Sequence, residues 1–324
     1  MNETGKKKHT NSRSRTGSRS SAERAARPAG KRPGASAHRA SEHRAASASR
    51  TRTSKRPASS QRAAQSAAAV RKPRFSKKYK RYFAVLAGAL VIAVIAAIVM
   101  AVIYFRRAYN EEQAHKVDPL TVETIRATNI KNADKLMIVA HPDDESIWGG
   151  GHLQEGGYLV VCITNGRNEE RTTEFKRAVL ASGNTPLILE YPDKVNGERD
   201  NWDAVYDQIQ HDVDLLVSYK SWTLIVSHNP LGEYGHQHHW MTSRIVADSC
   251  IKYGRTDILY YFGIYHSKGD LPDYVDEMTP MTDEQIEFKE YLLTFYDSQE
   301  STVKKFEHMN PYEMWLKADE VEVR

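Results

Sequence analysis

Apolar residues in this chain fall into one very long run and several short ones. The long run covers 82–105 and contains no charged residue, and it exceeds the roughly 20 apolar residues needed to cross a bilayer core of about 30 Å. Tyr and Phe stand at both of its ends, where the membrane interface favours amphipathic rings. Because a soluble helix is rarely apolar on every face over such a length, we expect 82–105 to be a transmembrane helix.

The short apolar runs lie further along the chain and alternate with longer amphipathic stretches. We expect strands at 136–140, 158–163, 187–189, 223–227 and 258–262, and helices at 169–182, 202–217, 238–253, 283–296 and 301–307. Continuous apolar strands separated by helices indicate a mostly parallel sheet that is covered on both faces. The sequence therefore predicts one α/β domain at 133–324, with 106–132 as a juxtamembrane stalk or lead-in helix.

Charge is distributed very unevenly along the chain. Residues 1–81 hold 24 of the 46 Lys and Arg but only three of the 41 Asp and Glu, whereas 106–324 hold 22 bases and 38 acids. This pattern excludes a single soluble globule and a uniformly basic nucleic-acid-binding domain. A segment so basic and so poor in apolar residues cannot bury a core, so we expect 1–81 to be a disordered tail. Its basic clusters suit anionic lipid headgroups, with nucleic acid less expected, and a solvated tail without a specific partner is the alternative.

The flanks of the apolar run also predict its orientation. Seven Lys and Arg lie within 71–81, whereas 106–118 holds three bases among three acids, and the more basic side normally stays in the cytoplasm. We therefore expect a single-pass protein of the cell membrane with a cytoplasmic tail and an extracellular domain. The two cysteines do not form a disulfide framework. Cys162 lies in an apolar run and is expected to be a buried thiol, although a single bridge to Cys250 stays open.

Two predicted strands lead directly into dense groups of metal-binding side chains. The sequence HPDDE occupies 141–145 after one strand, and HNPLGEYGHQHH occupies 228–239 after another. In open α/β sheets, ligands bind beyond the carboxyl ends of the strands, and residues three apart on a helical turn share a face. Two imidazoles and one carboxylate form a ligand set that is typical of catalytic zinc, with one coordination position left for water. The residues alone therefore predict a metal site at this edge.

The two motifs resemble those of the PIG-L/LmbE-like metal-dependent N-acetylglucosaminyl deacetylases, over roughly residues 135–265. The resemblance implies a Rossmann-like fold, a bound Zn²⁺ or another divalent metal ion, and removal of acetyl from an N-acetylglucosamine-type amide. By motif position it implies metal ligands His141, Asp144 and His239, the general base Asp143, the oxyanion contact Tyr234, and His236 as the residue that stabilises or protonates the collapsing intermediate. The family commonly has Asp where this chain has His238, which leaves the charge and pKa of His236 open.

Two lesser features have two interpretations each. Arg171 resembles a family arginine near the substrate, where it would contact a sugar or phosphate, but it could equally pair with Glu174 on a helix surface. The glycines at 149–151 look like a phosphate-binding loop, but close packing of a helix on the sheet is the favoured interpretation.

These features together favour a membrane-anchored, metal-dependent N-deacetylase. Its substrate would be an N-acetylated glycan or glycolipid, either a surface glycan or a lipid-linked precursor that shares the plane of the bilayer. Two alternatives stay open. One is a non-catalytic glycan-binding or scaffold protein on a deacetylase-like fold, with His238 marking a site that no longer turns over. The other is a protein whose basic tail provides the function, by binding anionic lipid or nucleic acid.

Overall fold

The computed structural model describes residue 74 and residues 76–321, so most of the tail predicted at 1–81 lies outside the described residues. The first element is α1 (Lys77–Ala114), a helix of 38 residues with none buried. Among the described residues it is the one helix long and apolar enough to cross a membrane, and it contains the expected segment 82–105. At 1.5 Å per residue it is about 57 Å long, so it continues beyond a bilayer core of about 30 Å.

The remaining described chain forms a sheet with helices. The strands are β1 (Lys135–Val139), β2 (Tyr158–Thr164), β3 (Thr185–Tyr191), β4 (Lys194–Val195), β5 (Glu198–Arg199), β6 (Leu224–Ser227), β7 (Leu259–Phe262) and β8 (Trp315–Lys317). The helices are α2 (Val122–Ala127), α3 (Asp144–Gly149), α4 (Glu169–Ala181), α5 (Tyr206–Ser218), α6 (Gly232–Gly235, a kinked turn), α7 (Gln237–Tyr253), α8 (Asp283–Leu293) and α9 (Glu300–Phe306).

The main sheet has the strand order β3-β2-β1-β6-β7-β8. All of its neighbouring pairs are parallel except β7 with β8, which confirms the predicted mostly parallel α/β fold. The order reverses at β1, since β2 and β3 lie on one side of it and β6 on the other. In such sheets the crevice beyond the carboxyl ends of the two strands at the reversal is the usual ligand site. The fold therefore singles out the ends of β1 and β6.

Both faces of the sheet are covered, because side chains alternate between two apolar clusters. Leu136 and Ile138 of β1 face a cluster that includes α5 and α7, whereas Met137 and Val139 face a cluster that includes α3, α4, α8 and α9. Every residue of β2 is buried. This two-sided burial explains why the strands read as continuous apolar runs rather than as alternating ones.

Some elements differ from the sequence-based expectation. The helix expected from 202 begins only at Tyr206, because Trp202 has a positive φ of 61° and its backbone N–H is held by the Asp200 carboxylate at 2.8 Å. The segment expected as a stalk, 106–132, is helical to Ala114, and further along it buries Ile125 in the core of the domain. The strands β4, β5 and β8 are two or three residues long, too short to produce a detectable pattern.

The cysteines and the glycine stretch also have clear positions. Cys162 and Cys250 are both free and buried, so the thiol interpretation is confirmed and the bridge is absent. A Cβ atom on Gly149 would lie 2.8 Å from Met137 Cε, and one on Gly150 would lie 2.8 Å from Lys289 Cγ. These glycines therefore permit close packing of α3 on the sheet and on α8.

Candidate metal centre and active site

The two motifs meet at the reversal of strand order. His141 follows β1 by two residues, and His228 follows β6 directly. The carboxyl ends of β1 and β6 are level, since Ile138 pairs with Ser227. The imidazole of His228 accepts a hydrogen bond at Nε2 from the backbone N–H of Ala140 at 3.0 Å, which ties the two strand ends together. The fold thus brings both predicted clusters to one crevice.

Asp143 has an unusual backbone conformation at the start of α3. Its φ is 119°, in a region that L residues other than glycine rarely adopt and that costs of order 1–3 kcal/mol. Its side chain makes no capping hydrogen bond to the helix. The carboxylate instead lines the crevice, where Oδ1 lies 3.5 Å from Arg171 Nη2. Asp143 therefore faces the crevice instead of capping the helix that it begins.

The three predicted metal ligands are mutually close. His141 Nδ1 lies 3.2 Å from Asp144 Oδ2, and His239 Nε2 lies 3.3 Å from both His141 Nδ1 and Asp144 Oδ1. Donor atoms bound tetrahedrally at about 2.0–2.1 Å are about 3.3 Å apart. All three residues are buried. Each pair of donors thus lies at a separation that a Zn²⁺-sized ion requires, with Asp144 contacting His141 through Oδ2 and His239 through Oδ1.

A buried carboxylate orients two of the imidazoles. Glu233 Oε2 lies 2.5 Å from His239 Nδ1 and 3.0 Å from His228 Nδ1. As a carboxylate it accepts both hydrogen bonds, so both rings carry hydrogen on Nδ1, and the Nε2 atom of His239 keeps its lone pair toward Asp144. Glu233, like Asp143, has a positive φ, here 52°, so the backbone is strained at the residue that orients these rings.

Other donor groupings exist among the described residues. One joins His141 and His239 to His236, one joins His141 to Asp193 and His238, and one joins Asp144 and His239 to His228. In the last group His228 Nε2 already accepts the Ala140 N–H, which leaves it poorly placed to bind an ion. His236 remains close to the trio, with its ring centroid 4.4 Å from that of His239.

A cavity of about 330 Å³ opens beside the trio and is lined by His141, Asp143, Asp144 and His236. Its floor is acidic and its rim is basic, with four cationic side chains supplied by Arg171, Lys194, Arg199 and Lys305. A second cavity of about 510 Å³ shares four residues with it, Arg171, Asp193, Lys194 and Gln299, and extends to Ala114 at the end of α1. These two adjoining cavities, together called the groove, are lined by residues of the candidate metal centre and by Ala114 at the carboxyl end of α1.

Burial and neighbouring charges raise the pKa of one acid in the crevice and lower the pKa of one histidine. Burial and the neighbouring Asp144 charge raise the pKa of Asp143 well above its ordinary value, although the Arg171 charge opposes the shift. Burial, together with the nearby charges of His141 and His239, lowers the pKa of His236 to about 2. His236 is therefore neutral, and its Nδ1 is buried without a hydrogen-bond partner among the described residues.

The remaining predicted residues also reach the crevice. Tyr234 lines it, and Lys305 Nζ lies 4.3 Å above the Tyr234 ring. Arg171 donates to the Pro142 carbonyl beside Asp143 rather than pairing with Glu174, which accepts hydrogen bonds from Ser298.

The sequence-based reasoning did not identify Glu233, Asp193 or the basic hairpin β4–β5 as parts of the site. The position of Asp193 two residues after β3 is a signal that could have identified it, since the ends of parallel strands meet at one edge.

Comparisons with known proteins agree with the geometry. Residues 136–250 match the family model described as PIG-L: GlcNAc-PI de-N-acetylase. An uncharacterized protein of Acanthamoeba polyphaga mimivirus is 32% identical over 174 residues, which cover 48% of this chain and 71% of the viral protein. The residues matched by the family model include both motifs of the crevice. The chain therefore belongs to the PIG-L family of deacetylases.

Proposed function

We propose that this chain is a membrane-anchored, metal-dependent N-deacetylase that removes acetyl from an N-acetylglucosamine-type sugar. The observation that carries the proposal is the close approach of His141, Asp144 and His239, whose donor atoms lie 3.2–3.3 Å apart in pairs, beside an Asp143 carboxylate that does not cap its helix. The three residues would hold one divalent ion, with Zn²⁺ suited to two imidazoles and one carboxylate. When bound, this ion would polarise the acetyl carbonyl and acidify a water molecule.

Asp143 acts as the general base. Its pKa is raised toward neutral pH. A group that first takes and then returns a proton works best when its pKa lies near the working pH. Asp143 takes the proton of the attacking water as oxygen adds to the amide carbon. The same proton then passes to the sugar nitrogen as the carbon–nitrogen bond breaks, and acetate and the free amine leave. The Arg171 guanidinium, 3.5 Å from the Asp143 carboxylate, keeps the carboxylate oriented and limits the rise of its pKa.

His236 and Tyr234 act on the carbonyl oxygen. Because the pKa of His236 is lowered to about 2, the ring is neutral and stabilises the developing negative charge by donating a hydrogen bond rather than by carrying a proton. The unpartnered Nδ1 of His236 leaves one ring nitrogen free for such a contact. The Tyr234 hydroxyl provides a second donor from the same wall of the cavity. Donors fixed in advance around the developing oxyanion are commonly a large part of catalysis.

The shape of the groove supports a substrate that extends beyond one sugar. The cavity beside the trio accommodates the N-acetylated sugar, and the adjoining cavity leads toward Ala114. Arg171 and Lys194 line both cavities, and the second cavity also has acidic side chains, so the remainder of the substrate would pass along a polar wall of mixed charge. A surface glycan and a lipid-linked precursor both fit this description.

The end of α1 supports attachment of the domain close to a membrane. Arg107 Nη2 lies 2.8 Å from the Glu198 carboxylate, and Asn110 donates to Asn196 at 2.9 Å. These contacts join the helix to the hairpin β4–β5 within one or two turns of the apolar segment. With the positive flank in the cytoplasm, the groove would open outside the cell next to the bilayer.

The competing function is a glycan-binding protein without turnover. The full donor trio and Asp143 argue against it, because binding a sugar requires neither. The test uses the full chain in detergent and a panel of N-acetylated sugars, surface glycan fragments and polyprenyl-linked amino sugars. Acetate release that requires a divalent ion supports the proposal. Binding of these sugars without acetate release from any of them would favour the alternative.

A further inference from the structure

His238 occupies the position where the family commonly has Asp, and its surroundings are fully defined. The ring is completely buried and stacks on Trp202 with centroids 4.1 Å apart and planes within 6°. Its Nε2 lies 2.7 Å from the backbone carbonyl of Asp200. Its Nδ1 lies 3.1 Å from His141 Nε2. Both ring nitrogens therefore have one partner each.

These contacts fix where the hydrogen atoms are. A carbonyl oxygen can only accept, so His238 must carry its hydrogen on Nε2 to bond to Asp200. Its Nδ1 is then an acceptor, and the hydrogen between the two facing rings must belong to His141 Nε2. With hydrogen on Nε2, the neutral His141 ring that a metal ion would bind has its lone pair on Nδ1, and this atom faces Asp144 and His239.

Asp200 and Trp202, which both contact His238, are themselves held by further hydrogen bonds. The Asp200 carboxylate lies 2.7 Å from His115 Nε2 and accepts the backbone N–H of Trp202 at 2.8 Å. The Trp202 indole donates to the Pro192 carbonyl at 2.8 Å. The carbonyl and the stacking surface that position His238 are therefore both fixed from outside the crevice.

We infer that His238 is a positioning residue that keeps the lone pair of His141 Nδ1 directed at the candidate metal centre. This inference rests on the proposed function, because it assumes that His141 binds the ion. Groups of this kind fix the tautomer and orientation of a ligating histidine, and their loss typically costs 10–100-fold in metal affinity. In this chain the acceptor for the His141 N–H is therefore an imidazole nitrogen.

One other acceptor is close enough to compete for this role. Asp193 Oδ1 lies 3.5 Å from His141 Nε2 and 3.7 Å from His238 Nδ1, distances beyond a good hydrogen bond. The shorter contact assigns the role to His238, and the experiment separates the two residues.

The test compares two substitutions that remove different properties of His238. His238→Phe keeps a ring that can stack on Trp202 but has no acceptor, whereas His238→Asn loses the ring and places Oδ1 near the former position of Nδ1. The full chain in detergent is titrated with Zn²⁺ against a chromophoric chelator. The visible absorption of the Co²⁺-loaded protein reports the geometry around the ion. Thermal unfolding of the metal-free proteins checks that both variants are folded.

We expect His238→Phe to bind Zn²⁺ about 10–100-fold more weakly and to show an altered Co²⁺ spectrum, and His238→Asn to stay within about threefold of wild type. Equal affinities in all three proteins, or equal losses in both variants, would overturn the inference. So would wild-type affinity in His238→Phe together with a loss in Asp193→Asn. If the wild-type chain itself binds no Zn²⁺, the proposed function fails instead.

A measurement on the wild-type protein needs no variant. The ring ¹⁵N shifts of the Zn²⁺-loaded chain should show hydrogen on Nε2 of both His141 and His238. Hydrogen on Nδ1 of His141 would overturn the inference even if a variant did not fold.

Discussion

Replacing Asp143 by Asn should remove most of the activity and leave the metal in place. The side chain lines the cavity beside the trio without being one of the three donors, and an amide cannot take a proton from water at neutral pH. Loss of a general base costs about 10²–10⁴ in rate, which corresponds to about 3–5 kcal/mol of transition-state stabilisation. The fold should tolerate the change, because Asn has nearly the same size and shape as the Asp that already adopts this φ of 119°.

The matched variant is Asp144→Asn, one residue further along. Asp144 Oδ2 accepts the backbone N–H of His141 at 2.8 Å, and its carboxylate lies 3.2–3.3 Å from three imidazole nitrogens. An amide at this position removes the one negatively charged ligand of the trio. It also adds an N–H group beside imidazole nitrogens that would otherwise face a carboxylate. We expect a loss of metal affinity of at least the roughly 10–100-fold that supporting residues produce.

Metal content by mass spectrometry, Zn²⁺ affinity by chelator competition and acetate release are measured on both full-length variants. The reasoning predicts that Asp143→Asn is loaded but slow, and that Asp144→Asn is poorly loaded. Equal metal loss in the two variants would refute the division of roles. An Asp143→Asn enzyme within about threefold of wild-type rate, far from the 10²–10⁴ expected of a base, would refute it as well.

Further predictions concern the fold and the membrane. Glu313 is buried against Lys289 Nζ at 3.2 Å, so Glu313→Gln should destabilise the protein by about 3–5 kcal/mol in denaturant unfolding, whereas the exposed control Glu300→Gln should leave the unfolding midpoint unchanged. Burial opposes ionisation of Glu313, but the Lys289 charge prevails and lowers the pKa of Glu313 below the ordinary 4.5. The stability that ionised Glu313 contributes should therefore be present above pH 4.5 and be lost as the pH falls through the lowered pKa. A stability difference between wild type and Glu313→Gln that does not change with pH would contradict this. Protease added to intact cells should remove 106–324 and spare the tail, and the opposite pattern would reverse the proposed topology.

The sheet could be predicted because its strands are buried on both faces. The five longer strands, such as β2, correspond to continuous apolar segments of the sequence. The helices between them correspond to longer amphipathic stretches. The helix starting at Tyr206 was predicted four residues too early, because apolar Trp202 continues the helical pattern. Only the tertiary contacts of Trp202, with Asp200 and with His238, show that it belongs to a loop.

The candidate site could be predicted as a set of residues but not as a network. The resemblance of the two motifs implied His141, Asp144 and His239, and the structure brings these three side chains together; their role as metal ligands stays a prediction. The orienting role of Glu233 could not be predicted, since it depends on a kinked turn with a positive φ at this residue. The contact between His238 and His141 joins residues 97 positions apart, which no local pattern reports.

One measurement tests the central claim most directly. The purified full chain is treated with a chelator, reloaded with one equivalent of Zn²⁺, and assayed at each stage for acetate released from N-acetylglucosamine-type substrates. We expect one ion to bind per chain, its removal to abolish acetate release, and its return to restore it. Acetate release that is unchanged after complete removal of metal, or no bound ion at all, would contradict the account.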